Sequence, residues 1–561
     1  MILTQPSRPA ICCIIAVLLY FFSIFSFSTN TPQSDDFFDV LFFLHLYQKT
    51  ESLPEKLSLL FWQYNEHFQT TSRILYVIFL NIFNKIDFFY LTILGGSLLP
   101  VTVCLINRIL RGGEKFRDYQ ALIPFLVMLS PSLWLNYLCA SYILPQASLL
   151  FTVLLIYLLQ RNRTALAAAV LFPLSTTLSS GILMLPLSNI VLWMNKDIKK
   201  QKKYIFTLIS LFLLIFYIVV HIDLEPFRLH TMKEYLEISL TKPLEIIVGF
   251  AGFAGSLTFM EGDSVLLPVF SGTILLGTSS VLIIQLWIRK NPSFYPTTSL
   301  FMFFLLCLAA CSITRVSIYS YSPIFDPHYK FYSLPLWALA LSVLYQMVNS
   351  NYLKALIIAF AASILAVSYI RYIPLIADDS QFKQAAITKW AVSGKKEDLG
   401  YTAILPYSHE ILLMSMHEGY YSPFDSRHGA LNQVKSLQKI TQCPELSLLH
   451  VSQVTIENHE NAIAFSAPPQ PETDPISKML LCGTRHSFLV IPQDSAKSFI
   501  VDKTRLPADN YKILLNTGNN EWRIQKEDIR ISGTVPRPPC VMDYGYLQLA
   551  VGPLVFSHLC E

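Results

Sequence analysis

Long apolar runs recur along the first two thirds of this sequence, and they decide which class of fold it can adopt. Crossing the hydrocarbon of a membrane takes about 20 mostly apolar residues in a helix. Runs of this kind lie at 9–28, 88–110, 119–137, 141–160, 164–180, 181–195, 204–221, 265–288, 298–314, 332–348 and 354–373. The composition agrees, because 53% of the residues are hydrophobic and 14% are charged, whereas soluble proteins have about 25% charged residues. The sequence therefore predicts a polytopic α-helical membrane protein with about eleven transmembrane helices.

Basic residues predict which side of the membrane each loop occupies, because short cytoplasmic loops carry an excess of Lys and Arg. The loops between the runs contain the basic residues Arg108, Arg111, Lys115, Arg117, Arg161, Arg163, Lys196, Lys199, Lys200, Lys202, Lys203, Arg289 and Lys290. The loop 29–72 has more acidic than basic residues. We therefore expect a cytoplasmic N-terminus and an outer location for 29–72. The apolar segment 243–260 is predicted to be re-entrant or surface-lying, because a full crossing would leave Arg289 and Lys290 outside.

The composition changes after about Arg371, where the long apolar runs end. Residues 1–375 form the predicted transmembrane domain, and 376–561 are long enough for one compact soluble domain. Short stretches such as 487–492 and 511–516 have the character of strands between turn signals. We expect an α+β or β-rich C-terminal domain. An odd number of crossings from a cytoplasmic N-terminus places that domain outside the cytoplasm.

Cysteines in this C-terminal part bear on the same prediction. The four are Cys443, Cys482, Cys540 and Cys560. An even number in an oxidising compartment allows two disulfides with three possible pairings. Disulfides and free buried thiols both remain open from the sequence.

An acidic pair, Asp35 and Asp36, follows the first apolar run by a few residues. The pair is expected at the outer interface. A carboxylate there can take a proton from an attacking hydroxyl or hold a divalent cation such as Mg²⁺ or Mn²⁺, which prefers oxygen ligands. Both residues are candidate catalytic residues and candidate metal ligands. The alternative is that they are ordinary solvated loop acids, with Asp36 capping a helix that starts at Phe37.

The end of the same loop combines aromatic and ionisable side chains, namely Trp62, Asn65, Glu66 and His67. Aromatic faces stack on sugar rings and suit the membrane interface, while Glu and His supply directional hydrogen bonds. These four residues are therefore predicted to bind substrate. The alternative is an interfacial helix that the aromatic residues anchor and whose polar face is hydrated.

A further polar group lies between the ninth and tenth runs and contains Arg315, His328, Tyr329 and Lys330. Cations are unexpected on the outer face, so Arg315 and Lys330 are predicted to have partners. Phosphate is the natural partner of a guanidinium and an ammonium group. Snorkelling of long side chains at helix ends is the alternative.

Motifs of soluble enzymes are missing from the sequence. It has no Walker loop, no dinucleotide-binding fingerprint, no zinc-binding His-Glu-x-x-His and no nucleophile elbow. The formal net charge of +4 follows from membrane topology and does not indicate binding to nucleic acid.

The acidic pair, the long first outer loop, the many apolar runs and the soluble C-terminal part together resemble the GT-C type of integral-membrane glycosyltransferases, which use polyprenyl-phosphate-linked sugars. The similarity is closest to bacterial members related to the mannosyltransferase and arabinosyltransferase groups. Those carry an Asp-Asp-rich start and an Asn-Glu-His-Arg-like element, and here Asn-Glu-His at 65–67 is followed by Phe68 instead of Arg. Their aromatic-rich element before a late span would correspond to 328–330, with the lysine displaced by one residue. The resemblance covers roughly residues 1–375.

The resemblance implies sugar transfer at the outer face of a bacterial inner membrane. The donor would be a sugar on a lipid phosphate, and the acceptor a glycan, a lipid or a protein. Asp36 or Asp35 would deprotonate the acceptor hydroxyl. Arg315 and Lys330 would stabilise the departing phosphate. The element 65–67 would position sugar hydroxyls or support the base.

Two other functions are compatible with parts of the sequence. A transporter or flippase of a lipid-linked substrate would have ionisable residues deep in several spans and, commonly, inverted repeats. The apolar runs are almost free of charge, and no repeat is visible. A non-catalytic assembly protein of the cell envelope, binding through its C-terminal domain, also remains open.

Overall fold

The computed structural model describes most of the chain up to residue 423 and strands beyond it. The described ranges are 8–61, 63–64, 67–111, 119–223, 237, 239–258, 264–288, 294–316, 321, 329–393, 396–403, 408–423 and the strands between 434 and 531. The predicted site residues Trp62, Asn65, Glu66 and His328 lie outside the described residues, as do the side chains of His67 and the four C-terminal cysteines.

Helices account for most of the described chain up to residue 423. They are Arg8–Phe27 (α1), Phe43–Lys49 (α2), Leu53–Phe61 (α3), Thr70–Phe83 (α4), Phe88–Leu110 (α5), Leu122–Met128 (α6), Ile143–Gln160 (α7), Thr164–Ser175 (α8), Met184–Met194 (α9), Lys200–Asp223 (α10), Pro243–Ala254 (α11), Leu266–Ile288 (α12), Phe294–Cys311 (α13), Lys330–Met347 (α14), Asn351–Ser393 (α15) and Ser408–His417 (α16). Two π-helices are Asp36–Phe42 and Ser312–Val316. The 3-10 helices are Tyr119–Ala121, Pro131–Tyr137, Ala140–Tyr142, Ser179–Leu183, Ser256–Thr258 and Lys396–Ala403.

Local sequence signals explain several helix ends. Asp87 precedes α5, and its side chain accepts a hydrogen bond from the backbone N–H of Phe89 at 3.0 Å. Such a cap satisfies one of the N–H groups that the first helical turn leaves without a partner. Helix α4 stops at Asn84, which has a φ of 55°. Asn tolerates this left-handed conformation better than most residues, so it ends helices readily.

Seven helical segments in the described part of the chain are long and apolar enough to cross a membrane. They are Arg8–Phe27, Phe88–Leu110, Ala140–Gln160, Lys200–Val219, Leu266–Ile288, Tyr295–Val316 and Asn351–Ile387. Each coincides with one of the predicted runs, which agrees with a polytopic helical protein. The other four predicted runs fall on Tyr119–Met128, Thr164–Ser175, Ser179–Met194 and α14.

The apolar segment predicted to be re-entrant or surface-lying contains α11. This helix has 12 residues and is about 18 Å long, shorter than the hydrocarbon thickness of about 30 Å. It packs closely on α12 through glycines. A Cβ added to Gly255 would lie 1.9 Å from the carbonyl oxygen of Pro268, and one added to Gly272 would lie 1.8 Å from that of Ala251. Glycine is required at both positions because the two backbones touch.

Helix α15 is the longest described element. It has 43 residues and is about 64 Å long, roughly twice the thickness of the hydrocarbon. It runs without a break through residue 375, where the sequence suggests the end of the transmembrane domain. Its second half therefore continues the same helix beyond what a single crossing requires.

The buried apolar residues form two clusters. The larger joins the membrane-crossing helices. The smaller joins the first loop to the segment that follows α15, and its buried members are Phe37, Phe38, Val40, Leu41, Phe42, Phe43, Leu44, Leu46, Leu59, Tyr76, Leu80, Ile86, Phe88, Leu91, Ala140, Ile143, Ile387, Trp390, Leu399, Ile411, Leu412, Met416, Tyr420 and Tyr421. We call this smaller cluster the loop core. The segment that follows α15, up to residue 423, thus packs on the first loop.

Polar contacts tie the same two regions together. The Asn30 side chain accepts from the backbone N–H of Phe88 at 2.9 Å and donates to the carbonyl of Ser422 at 3.3 Å. The hydroxyl of Tyr421 donates to the Asn30 carbonyl at 2.9 Å. His45 Nδ1 lies 2.9 Å from a carboxylate oxygen of Glu418. These contacts hold residues 418–422 against the loop that follows the first helix.

Strands occur in two places. A two-residue hairpin pairs Gln63–Tyr64 (β1) with His67–Phe68 (β2). Beyond residue 423 the strands are Val434–Ile440 (β3), Thr455–Asn458 (β4), Ala462–Ser466 (β5), Lys478–Cys482 (β6), Ser487–Pro492 (β7), Ser498–Asp502 (β8), Asp509–Asn516 (β9), Trp522–Ile524 (β10) and Ile529–Ile531 (β11). They pair as β10-β9-β6-β7-β3, with β11 also on β9, and as β4-β5-β8.

Candidate functional site

Three carboxylates lie close together where the first loop turns into the π-helix Asp36–Phe42. Asp35 precedes this helix and is partly exposed, while Asp36 and Asp39 are fully buried. The backbone N–H of Asp39 donates to the carbonyl of Asp35 at 2.7 Å, which fixes the first turn. Besides burial, the charges of Asp35 and Asp36 each raise the pKa of Asp39. The loop therefore carries one partly exposed aspartate beside two buried ones.

Asp36 is held by backbone groups from two distant parts of the chain. One carboxylate oxygen accepts from the N–H of Ser141 at 2.7 Å, and the thiol of Cys139 lies 3.6 Å from this oxygen and 3.5 Å from the carbonyl of Gln33. The other accepts from the N–H of Gln33 at 3.1 Å and of Ala140 at 3.3 Å. Asp36 thus joins the first loop to the start of the membrane-crossing segment Ala140–Gln160.

This arrangement decides what Asp36 can do chemically. A carboxylate has about four lone-pair sites on its two oxygens, and here two donors approach each oxygen. Asp36 is also fully buried, so a substrate hydroxyl cannot reach its carboxylate in this structure. Of the two candidate bases, Asp35 and Asp36, we therefore favour Asp35. Asp36 instead stabilises the fold through its hydrogen bonds.

The expected Mg²⁺ or Mn²⁺ ion needs accessible oxygen ligands. Asp36 does not fit the role of a metal ligand, because its oxygens already accept hydrogen bonds. Among the residues that the structure describes, no three His, Cys, Asp or Glu side chains are gathered in a group suited to a metal ion. We therefore derive no catalytic step through a metal.

Asp39 faces a buried arginine. Arg73 Nε lies 3.9 Å from Asp39 Oδ1, both side chains are fully buried, and the hydroxyl of Tyr76 donates to the other oxygen of Asp39 at 3.3 Å. The guanidinium also donates to the carbonyl of Leu59 at 3.2 Å and lies 5.1 Å from the centroid of the Phe43 ring. A buried charge needs such compensation, because desolvation alone would cost several kcal/mol. The pair ties α4 to the π-helix.

A lysine that is 350 residues further along the chain than Gln33 lies on the other side of the acidic loop. Lys383, on α15, is buried, and its ammonium group donates to the side-chain oxygen of Gln33 and lies 2.7 Å from Asp379. Lys383 is close enough to Asp36 to interact with it electrostatically. The acids are therefore flanked by Arg73 on one side and by Lys383 on the other.

Sequence analysis alone does not single out Asp39, Arg73 or Lys383. The sequence does contain a signal for Asp39. An acid within the apolar run 37–44 is either exposed together with its apolar neighbours or buried with a partner. Arg73 gives a weaker signal of the same kind at the start of the apolar helix α4. Nothing in the spacing of the chain indicates that Lys383 approaches Gln33.

The late polar cluster is only partly described. Arg315 is partly buried in the π-helix Ser312–Val316, which contacts α11 through a 2.6 Å hydrogen bond from the Ser312 hydroxyl to the carbonyl of Ile246. Tyr329 packs edge-on against Phe253, with ring centroids 5.5 Å apart. These contacts position the cluster against the short apolar helix.

Lys330, predicted as a phosphate ligand, is buried. Its ammonium group donates to the hydroxyl of Tyr372 at 2.6 Å. Tyr372 and Lys383 are both on α15, eleven residues apart, which corresponds to about 16 Å along the axis and nearly the same face of the helix. The late cluster and the acidic loop are therefore linked through one face of α15.

Burial shifts the acidity of the two inner carboxyl groups. It raises the pKa of Asp36 to about 6, against the hydrogen bonds from Ser141, Gln33 and Ala140, which lower it. Burial raises the pKa of Asp39 to about 7, opposed mainly by the positive charge of Arg73. At neutral pH Asp36 is ionised, as its backbone donors require, and Asp39 titrates.

This titration gives an expected pH dependence. The pKa of Asp39 rises from its unfolded value of roughly 3.9 to about 7 in the folded protein. The folded state therefore binds this proton more tightly, and the resulting stabilisation is complete below about pH 4 and lost as the pH passes through 7. We expect the Tm of the wild-type protein to fall between pH 5 and pH 8, and to fall less in Asp39→Asn. Thermal unfolding in detergent measures both.

Asp378→Asn, which changes an exposed carboxyl on α15, is the matched control and should follow the wild type. Part of the fall should persist in Asp39→Asn because Asp36 also titrates. Identical falls in the wild type and Asp39→Asn would show that Asp39 does not titrate in this range.

Comparison with known proteins adds no further assignment. Neither the protein-family models nor the curated proteins compared with this chain give a match.

Proposed function

We propose that this protein is a membrane glycosyltransferase that moves a sugar from a polyprenyl-phosphate carrier to an acceptor at the outer face of the membrane. The observation that carries the proposal is the partly exposed Asp35, which directly precedes the buried Asp36 and lies near the buried Asp39. A rigid, accessible base at the end of a membrane-crossing helix suits a reaction whose donor is a lipid. The resemblance to GT-C enzymes points to the same chemistry.

The proposed reaction is a displacement at the anomeric carbon of the sugar. The acceptor oxygen forms a bond to this carbon, the bond from the carbon to the phosphate oxygen breaks, and the phosphate leaves with the electron pair. The proton of the acceptor hydroxyl passes to Asp35. Because Asp36 is anchored by Gln33, Ala140 and Ser141, the backbone that carries Asp35 is fixed, which is the preorganisation that proton transfer needs.

The other predicted site residues have proposed roles around this step. Arg315 stabilises the phosphate that leaves, since a guanidinium suits phosphate geometry. Lys330 holds α14 against α15 through its hydrogen bond to Tyr372. It also adds positive charge near that phosphate. The sugar and the acceptor are held by the aromatic and polar residues Trp62, Asn65, Glu66, His67, His328 and Tyr329.

The topology completes the proposal. Eleven crossings, the number in the sequence prediction, would place the N-terminus in the cytoplasm of a bacterial cell and the strands beyond residue 423 outside the inner membrane. Those strands then form a β-rich extracytoplasmic domain next to the acceptor. The described helices that are shorter than a full crossing would take part in the bundle as partial spans, with the bilayer locally thinned around them.

A reconstituted assay tests the proposal. Full-length protein in vesicles receives a polyprenyl-phosphate mannose or arabinose with a radiolabelled sugar, together with a cell-envelope fraction as the source of acceptor. We expect release of free polyprenyl phosphate and transfer of label to the acceptor fraction, both well above those of empty vesicles. Heat-inactivated protein is the control for vesicle leakage. Equal release with active protein, inactivated protein and empty vesicles, across both donors, would refute the proposed activity.

A further inference from the structure

A second polar surface lies away from the acidic loop, where three apolar helices end close together. Asn195, after α9, donates to the side-chain oxygen of Asn162 at 2.8 Å and to the carbonyl of Leu159 at 3.4 Å. Gln160, at the end of α7, donates to the carbonyl of Ile109 in α5 at 3.1 Å. These bonds hold the ends of α5, α7 and α9 side by side.

The residues at these helix ends are strongly basic. The exposed cations are Arg108, Arg161, Arg163, Lys196, Lys199, Lys200 and Lys202. Within the described residues of these three ends and the start of α10, Asp197 is the one acid. We call these seven cations the basic surface. Their mutual repulsion is relieved when an anionic partner neutralises them.

An aromatic pair marks the level at which this surface meets the membrane. Trp193 is 42% exposed and Tyr204 is 57% exposed, and their rings stack edge to face with centroids 5.3 Å apart. Large exposed aromatic rings of this kind sit at the headgroup level of a bilayer. The basic surface therefore lies next to lipid headgroups.

One lysine of the same segment has a structural role instead. Lys203 is buried, donates to the carbonyl of Trp193 at 3.1 Å and lies 5.7 Å from the centroid of the Trp193 ring. It thereby fixes the aromatic pair and the loop that carries the exposed lysines. The exposed lysines thus project from the turn between α9 and α10, which carries Lys196 and Lys199, and from the first residues of α10, which carry Lys200 and Lys202.

We infer that the basic surface binds the phosphate groups of anionic phospholipids. The charge of seven exposed cations is complementary to such headgroups, and the aromatic pair places the cations at their depth. Lipid binding at this surface does not depend on the proposed transferase activity.

Lipid binding to the purified full-length protein tests this inference. The protein is titrated in detergent with phosphatidylglycerol or phosphatidylcholine, and bound lipid is counted by native mass spectrometry. We expect phosphatidylglycerol to bind about tenfold or more tightly than phosphatidylcholine, and the difference to shrink as salt rises, because the attraction is electrostatic. Equal binding of the two lipids by the wild-type protein would overturn the inference.

Substitutions locate the effect. Replacing Lys196, Lys199, Lys200 and Lys202 together by Gln should weaken phosphatidylglycerol binding about tenfold or more, while replacing the same four by Arg should preserve it. The matched control replaces four lysines near the loop core, namely Lys49, Lys56, Lys85 and Lys389, by Gln and should leave binding unchanged.

Two outcomes would count against a lipid site at this surface. Equal weakening by both Gln sets would show a general effect of net charge. Displacement of phosphatidylglycerol by millimolar inorganic phosphate would show a site for a soluble anion. The Arg set reports on charge even if the Gln set proves poorly folded.

Discussion

Asp35→Asn is expected to give a folded protein that no longer transfers sugar. The amide has nearly the shape of the carboxylate but cannot accept the proton of the acceptor hydroxyl. Positioned base catalysis contributes about 10²–10⁴-fold, so transfer in the vesicle assay should fall by that factor. Asp35 is partly exposed, so its substitution should perturb the buried packing less than the substitution of Asp36.

Two further variants sharpen this test. Asp35→Glu keeps a carboxylate on a longer side chain, so it should retain part of the activity that Asp35→Asn loses. Its transfer rate should differ from that of the wild type, while its affinity for the donor should be unchanged. Asp378→Asn removes an exposed carboxylate on α15 and should transfer at the wild-type rate. Wild-type transfer by Asp35→Asn, in protein of unchanged Tm, would show that Asp35 is not the base.

Asp36→Asn is expected to destabilise the protein, although the substitution is nearly isosteric. Asp36 accepts hydrogen bonds from three backbone N–H groups, and an Asn side chain would turn an NH₂ group toward one or more of them. Hydrogen bonds to a charged group contribute roughly 1.5–3 kcal/mol each, and an unsatisfied buried donor costs about 1–3 kcal/mol. We expect a loss of at least about 3 kcal/mol, seen as a lower Tm and a smaller monodisperse fraction in size-exclusion chromatography.

The comparison of the two neighbours separates anchor from base. Under our assignment Asp36→Asn loses stability and Asp35→Asn loses activity. The reverse pattern is a stable but inactive Asp36→Asn together with an active Asp35→Asn. That result would identify Asp36 as the base and contradict our assignment.

The sequence predicts the helical character of this protein well, and for a clear reason. A run of about 20 apolar residues has few alternatives in a membrane, so the seven long helices coincide with predicted runs. The shorter elements are less predictable, because their lengths depend on packing. Helix α11 illustrates this, since its contact with α12 requires Gly255 and Gly272 at positions that no local signal marks.

The candidate site is predictable only in part. The acidic pair is visible in the sequence, but its division of labour depends on Ala140 and Ser141, more than a hundred residues away. Arg73 and Lys383 enter through contacts between distant segments, for which sequence spacing gives no information.

The continuous helix α15 has a consequence for the geometry of the whole site. An α-helix advances about 1.5 Å and turns about 100° with each residue, so the eleven residues from Tyr372 to Lys383 set both a height and a direction. One residue more or fewer would rotate Lys383 away from Gln33 while leaving the Tyr372 contact with Lys330 in place. The helix therefore sets the spacing between the late polar cluster and the acidic loop, and a change in its length between Tyr372 and Lys383 would separate them.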